Sequence, residues 1–193
     1  FYHRNGKSVC IKVAPAVFLL LQLCSRTGVK KAERGGSYRS MEISWLGHAC
    51  FRIKGKQTTV ITDPYSPELG YTLGKHSSRI VTVSHQHPGH CYVQGIGGEP
   101  KRVAGPGEYE IGGVLIMGIA SYHDEEKGGI RGRNTIYLMH VDEMSVCHLG
   151  DLGHALTRYQ GFYDRGVRIT MVFDSNPELI GKKIGALTIL STE

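Results

Sequence analysis

The sequence predicts one α/β domain dominated by β-strands, and three observations carry that prediction. The first is size: 193 residues with 40% apolar content and 26 glycines suffice for one domain with a real core and are too few to expect two. The second is a series of short segments from Met41 onward, rich in Val, Ile, Thr and aromatic residues and bounded by glycine turns, which is how strands joined by tight loops read. The third is how few stretches carry a helical period.

Taken in order, strands are predicted at 41–46, 49–54, 57–62, 79–84, 113–119, 134–141 and 144–149. Lys54-Gly55-Lys56 supplies a hairpin turn between the second and third, and Val141-Asp142-Glu143-Met144 does the same between the last two. The continuous apolar run Arg79–Ser84 reads as a buried strand. Helices are expected only at 88–95 and 154–160. The glycine words Gly95-Ile96-Gly97-Gly98 and Gly105-Pro106-Gly107 resemble a phosphate loop only superficially, because neither joins a clear strand to a clear helix; they read as turns. Beyond about residue 160 the one strand candidate is Val167–Phe173.

Composition divides the chain further. The formal charge is +6, yet residues 1–40 hold eight Lys and Arg against one Glu, so the rest carries 15 basic and 16 acidic groups. The body therefore offers no polyanion surface by count, which argues against a nucleic-acid partner. Five cysteines, Cys10, Cys24, Cys50, Cys91 and Cys147, are odd in number and lack CxxC spacing, so neither a disulfide framework nor a thiolate zinc site is indicated and a reducing, cytoplasmic setting fits. Val13–Leu23, preceded by Arg4, Lys7 and Lys12, has the length and flanks of a secretory h-region and is too short to span a bilayer. Met41 stands directly before the first well-patterned strand, and residues 1–40 are read as a leader or upstream sequence in frame rather than an export signal. Residues 41–160 form the domain, and 161–193 a divergent or artefactual tail.

The chemistry concentrates in His85-Gln86-His87-Pro88-Gly89-His90. Two histidines spaced by two at the end of a strand point to one side, a pincer suited to one divalent cation. A cation must be surrounded rather than touched, so further ligands have to arrive from distant strands. Ser121-Tyr122-His123-Asp124 and His148-Leu149-Gly150-Asp151 each follow an apolar strand and supply candidates. The other histidines take plainer readings: His3, His76 and His140 as packed or solvated side chains, His148 as structural, His154 as a surface residue at a helix start. Cys91 reads as a small buried residue, and Asp124–Lys127 as a solvated loop tip.

Five ordered motifs, Trp45–Phe51, Ile61–Pro64, Ser84–His90, Ser121–His123 and His148–His154, resemble those of the metallo-beta-lactamase superfamily of metal-dependent hydrolases. The likeness is greatest to its small bacterial, ascorbate-6-phosphate-lactonase-like members and runs from Met41 to about Leu156. It implies a four-layer alpha/beta/beta/alpha sandwich of mixed and antiparallel sheets with metals at one edge. By resemblance, His85, His87 and His123 bind the first metal and Asp151 touches or bridges metals, a catalytic position. His90 belongs to the second metal, Asp63 orients a histidine from behind, and His48 lies near the substrate as a second catalytic candidate.

Two departures matter. Gly89 stands where the family carries a metal-binding aspartate, and no histidine follows His154, so the second metal site is expected to be weakened and the second half of the sandwich incomplete. A frameshift or assembly error near residue 157 is one expectation for this change of character; a genuine divergent tail is the other. The implied function is hydrolysis of a small ester, lactone or phosphoester by water acidified on one zinc ion, with Mn or Fe also suited to the donors. The implied partner is a small-molecule substrate, with no membrane and no nucleic acid, and a homo-oligomer left open. The competing readings are a non-catalytic or incomplete relative with weak metal binding, and a nuclease, which would need basic loops around the site.

Overall fold

The computed structural model describes residues 41–155 other than Tyr71 and Glu143, together with the backbone of five short strands outside that range. In chain order the strands are β1 (Tyr2–Arg4), β2 (Lys7–Val9), β3 (Glu42–Gly47), β4 (Cys50–Lys54), β5 (Thr59–Thr62), β6 (His76–Ser77), β7 (Ile80–Val83) and β8 (Ile96–Gly97). They continue as β9 (Lys101–Ala104), β10 (Gly107–Ile111), β11 (Val114–Tyr122), β12 (Arg133–Val141), β13 (Met144–His148), β14 (Met171–Asp174), β15 (Lys183–Ile184) and β16 (Leu187–Ser191).

Alternation along these strands builds two sheets that face each other. One has the order β3-β4-β5-β7-β9 and the other β10-β11-β12-β13-β14-β16-β15. Hairpins make β3, β4 and β5 antiparallel, whereas β5, β7 and β9 run parallel and need the long 63–79 and 84–100 crossovers between them. Ile43, Phe51, Ile53, Val60, Ile80 and Val103 of the first sheet pack against Val114, Ile116, Tyr137, Met139, Val141 and Val146 of the second. Each fully buried aliphatic side chain of this kind contributes roughly 1.5–3 kcal/mol. Tyr137 ties the layers together: its hydroxyl donates to the Val83 carbonyl at 2.9 Å and accepts the Gly105 N–H at 2.9 Å.

The alternate residues Ile61, Val81 and Val83 point to the opposite face of the first sheet and join Cys50, Tyr65, Leu73 and Ile96 in a second cluster. That face is covered by crossover chain, including the 3-10 turns Pro67–Leu69 and Val93–Gly95 and the parallel β6/β8 pair. The facing mixed and antiparallel sheets match the predicted sandwich. Among the described residues there is no α-helix, and none is therefore long and apolar enough to cross a membrane.

The predicted helix at 88–95 is replaced by a turn at His87–Cys91, closed by the His90 and Cys91 N–H groups on the His87 carbonyl, followed by the Val93–Gly95 turn. With a glycine at each end the segment is too short to repay helix nucleation, and its amides bond elsewhere: the Tyr92 N–H reaches the Pro64 carbonyl at 2.8 Å. His154 and Ala155 are not helical; 156–160 lie outside the described residues, as do the side chains of 1–40 and 161–193. β9 and β10 were not predicted, and β11 extends to Tyr122 rather than ending at 119. The Gly95–Gly98 word contributes β8 as well as a turn.

Candidate metal centre

The loops that follow β5, β7, β11 and β13 deliver Asp63, His85, His87, His90, His123 and Asp151 to one edge of the sandwich, and the β3–β4 turn delivers His48 to the same place. Asp63 is the fully buried root of the cluster. Its backbone adopts a φ of 37°, a conformation Asp tolerates better than most residues, and its N–H is held by the Thr82 carbonyl at 2.9 Å. The carboxylate accepts the Ser84 N–H at 2.8 Å, the Ser84 hydroxyl at 2.5 Å and His90 Nδ1 at 2.8 Å.

These bonds set the tautomers of two imidazoles. The Ser84 hydroxyl gives its single proton to Asp63, so its 3.0 Å contact with His85 Nδ1 is one in which the imidazole donates. His85 and His90 thus both carry a proton on Nδ1 and turn Nε2 into the cluster, the arrangement that orients metal-binding histidines.

At the centre lies Asp151 Oδ2, 3.0 Å from His90 Nε2, 3.7 Å from His123 Nε2 and 3.9 Å from His85 Nε2. The His90 contact has the length of an ion pair but not the alignment of a hydrogen bond, and His90 Nε2 is buried with no hydrogen-bond partner. An orphaned buried nitrogen aimed at a carboxylate, with neutral imidazoles around both, is the donor set a divalent cation satisfies. His87 joins through its proximity to His85 and His90: one ligand atom from each of the three lies within 4.8 Å of the others, as does one from each of His85, His123 and Asp151. The residues present therefore fit a cation.

Electrostatics divide the cluster. Burial, reinforced by the neighbouring His90, lowers the His85 imidazole to about 4, so it is neutral at pH 7. Burial likewise lowers His123 and His48. Burial also pushes His90 down, but its contacts with Asp151 and Asp63 outweigh this and raise it to about 10; a proton between two carboxylates there competes with any cation. Burial raises Asp63, yet His148 and the hydrogen bonds from His90 and Ser84 leave it below the usual carboxylate range.

Sequence reasoning missed the splint behind Asp151. Buried Asn134 donates from Nδ2 to Ser121 Oγ and to the Leu149 carbonyl, each at 2.8 Å, and its Oδ1 accepts the Asp151 N–H at 3.1 Å. Gly150, at φ 63°, passes so close to Asn134 Oδ1 and Ser84 that a Cβ there would meet them at 2.5 and 2.6 Å. A Cβ on Gly153 would run into the His123 carbonyl group. The available signal was an amide-bearing residue opening an otherwise apolar strand.

The other histidines among the described residues stay outside the cluster, and the side chain of His3 lies outside the described residues. His148 is buried and its Nε2 donates to the Ala49 carbonyl at 3.0 Å. His154 is half-buried rather than on the surface, and its Nε2 accepts the Tyr122 N–H at 3.2 Å. His140 is exposed beside Ser145, and His76 sits on β6. Asp124 is not a solvated loop tip: it is buried, and its carboxylate accepts the N–H groups of Gly128, Ile130 and Arg131 at 2.8, 3.1 and 2.6 Å. Cys91 is half-buried beside the outer cluster.

Comparison with known proteins bears on the fold and the family. A protein from Thermotoga maritima assigned to the Zn-dependent hydrolases of the metallo-beta-lactamase superfamily superposes with a TM-score of 0.55 at 33% identity, over 69% of this chain and 60% of that one. A metal-dependent hydrolase from Methanoculleus marisnigri is 29% identical over 136 residues, 58% of each chain. A 50-residue stretch is 46% identical to the redox-sensing transcriptional repressor Rex of a Roseiflexus species, over 26% of this chain and 23% of the repressor. The chain thus spans less than two thirds of the length of these relatives. Residues 42–172 match the family model for the beta-lactamase superfamily domain, and the chain belongs to that superfamily.

Proposed function

We propose that this chain is a metal-dependent hydrolase acting on a small ester, lactone or phosphoester. The observation that carries the reading is the convergence of three imidazole Nε2 atoms within 3.9 Å of one oxygen of Asp151. His85, His87 and His123 with Asp151 would hold a cation, and His90 lies beside them. Zinc suits three imidazoles and a carboxylate, and Mn or Fe accept the same donors. Such an ion, when bound, acidifies water and polarises the oxygen of an electrophilic substrate.

The protein's own contribution is orientation. Asp63, through Ser84 and directly, fixes the rings of His85 and His90 with Nε2 turned inward. Asn134 fixes the backbone from which Asp151 projects. A carboxylate facing the lowered imidazoles of His85 and His123 is also placed to accept a proton from a reacting water. Exposed His87 and His48 form the rim over which a substrate enters, and the near-neutral body favours a small molecule over a polyanion.

The test is metal analysis of the purified full chain after dialysis, followed by assays on p-nitrophenyl acetate, a γ-lactone and bis(p-nitrophenyl) phosphate. Stoichiometric ion, with turnover of one substrate class that stops on chelation and returns with added Zn, is expected. Protein that retains no ion and gains no turnover from Zn, Mn or Fe overturns the reading.

A further inference from the structure

The geometry points to His48 as a cation ligand that takes the place of the side chain missing at Gly89, completing a second cation position with His90. This inference rests on the metal-dependent reading above and deepens it.

Gly89 is buried, and the space its side chain would fill is already taken. A Cβ built there would lie 2.7 Å from His48 Nε2, 3.1 Å from His48 Cδ2 and 3.1 Å from His87 Nδ1. His87 Nδ1 is engaged by the Gly89 N–H at 3.1 Å, so the nitrogen offered at that point is His48 Nε2, on the side of the cluster where the resemblance expects a carboxylate. The His48 ring centroid is 4.8 Å from that of His90, whose Nε2 is the orphaned atom of the site. The missing acid and the intruding ring thus belong to one exchange: an aspartate at 89 could not coexist with His48 in this position.

The turn that carries His48 is built to hold it there. His48 has a φ of 49° and Gly47 of 114°, a tight two-residue connection with a bulge between Trp45 and Gly47. Its carbonyls are clamped in sequence. Tyr65 OH donates to Leu46 O at 2.8 Å and Trp45 Nε1 to His48 O at 2.7 Å; Thr62 Oγ1 and His148 Nε2 donate to Ala49 O at 3.1 and 3.0 Å. A left-handed non-glycine residue is kept against its cost of order 1–3 kcal/mol only when its surroundings over-determine it. Four side chains do so here, buried His148 among them.

The experiment is titration of the full, metal-stripped chain with Co(II), read by calorimetry and by visible absorption, in wild type, His48→Asn, Gly89→Asp and the double variant. Asn keeps the left-handed turn while removing the ring. Wild type is expected to take up two equivalents, and His48→Asn to weaken the second by about 100-fold while leaving the first within a few-fold; the double variant should recover the second with an altered spectrum. Equal second-equivalent binding in wild type and His48→Asn, or uptake of one equivalent only by wild type, overturns the inference and leaves the hydrolase reading standing. No uptake by wild type overturns both.

Discussion

His90 and His87 are three residues apart on one loop, yet they belong to two different kinds of wall. His90 is fully buried, bonded to Asp63 through one nitrogen and set against Asp151 by the other. His87 is exposed, and its Nδ1 accepts only the Gly89 N–H among the hydrogen bonds described for it. The inner wall of Asp63, Ser84, His85 and His90 is part of the core's polar wiring, whereas the rim rings of His48 and His87 make no hydrogen bond to those four side chains among the contacts described. In this molecule the residues that hold the fold and those that finish a cation site are therefore separable, and substitutions should sort them.

The largest effect is expected at the root of the inner wall. Asp63→Asn preserves shape and tolerates the positive φ, but the carboxylate serves three donors and an amide has one oxygen to offer, so at least one N–H is turned against another donor. Breaking a buried charged network costs about 3–5 kcal/mol, and that loss should appear in urea unfolding of the metal-free protein. A loss below about 1 kcal/mol would show that the inner wall is not structural and erase the contrast.

Asn134→Ala tests the same wall from the second sheet. It removes three hydrogen bonds and leaves the Leu149 carbonyl and the Asp151 N–H without their amide partner. An expected cost of about 1–3 kcal/mol in unfolding should accompany a 10–100-fold fall in cation affinity, the usual price of losing an orienting partner. Unchanged affinity with lowered stability would mean that Asp151 keeps its position without the splint.

How much of this was legible in the sequence follows the same division between local and distant. The strands with many inward residues, β4, β5, β7, β12 and β13, could be read because apolar and β-branched residues dominate them. Lys101–Ala104 and Gly107–Ile111 escaped because they lie at sheet edges with mostly exposed side chains and glycine and proline at their ends. The histidines of the 85–90 loop stood out because they are adjacent in the chain. The Asn134 splint did not, since it depends on the register that sets Ser121 opposite Asn134 in the β11–β12 pair. The ring of His48 over Gly89 was hidden for the same reason, two residues 41 apart in the chain meeting only once the fold is assembled.

On the rim, His87→Ala should leave unfolding within about 0.5 kcal/mol of wild type, as for exposed positions with few partners, and yet weaken cation binding at least tenfold in Co(II) titration. This pairing of outcomes, silent in stability and visible in binding, is the reverse of Asp63→Asn. A comparable loss of stability in both would merge the two walls into one.

The smallest expected effect lies just beyond the rim and is set by pH. The backbone N–H groups of Arg131, Gly128 and Ile130 hold the Asp124 carboxyl below the usual aspartate range. A group with a lowered native pKa contributes its stability above the pH at which an unfolded aspartate titrates and loses it as pH falls through the native value. The 124–131 loop beside His123 should therefore keep its protected amides at Gly128, Ile130 and Arg131 at pH 6 and exchange them progressively faster in acid, once the expected intrinsic rate is divided out. In Asp124→Asn the exchange should already be fast at pH 6 and lose its acid dependence. Protection that survives the substitution would assign the order of this loop to its glycine turns instead of its carboxylate, and would place the outer edge of the site under neither wall.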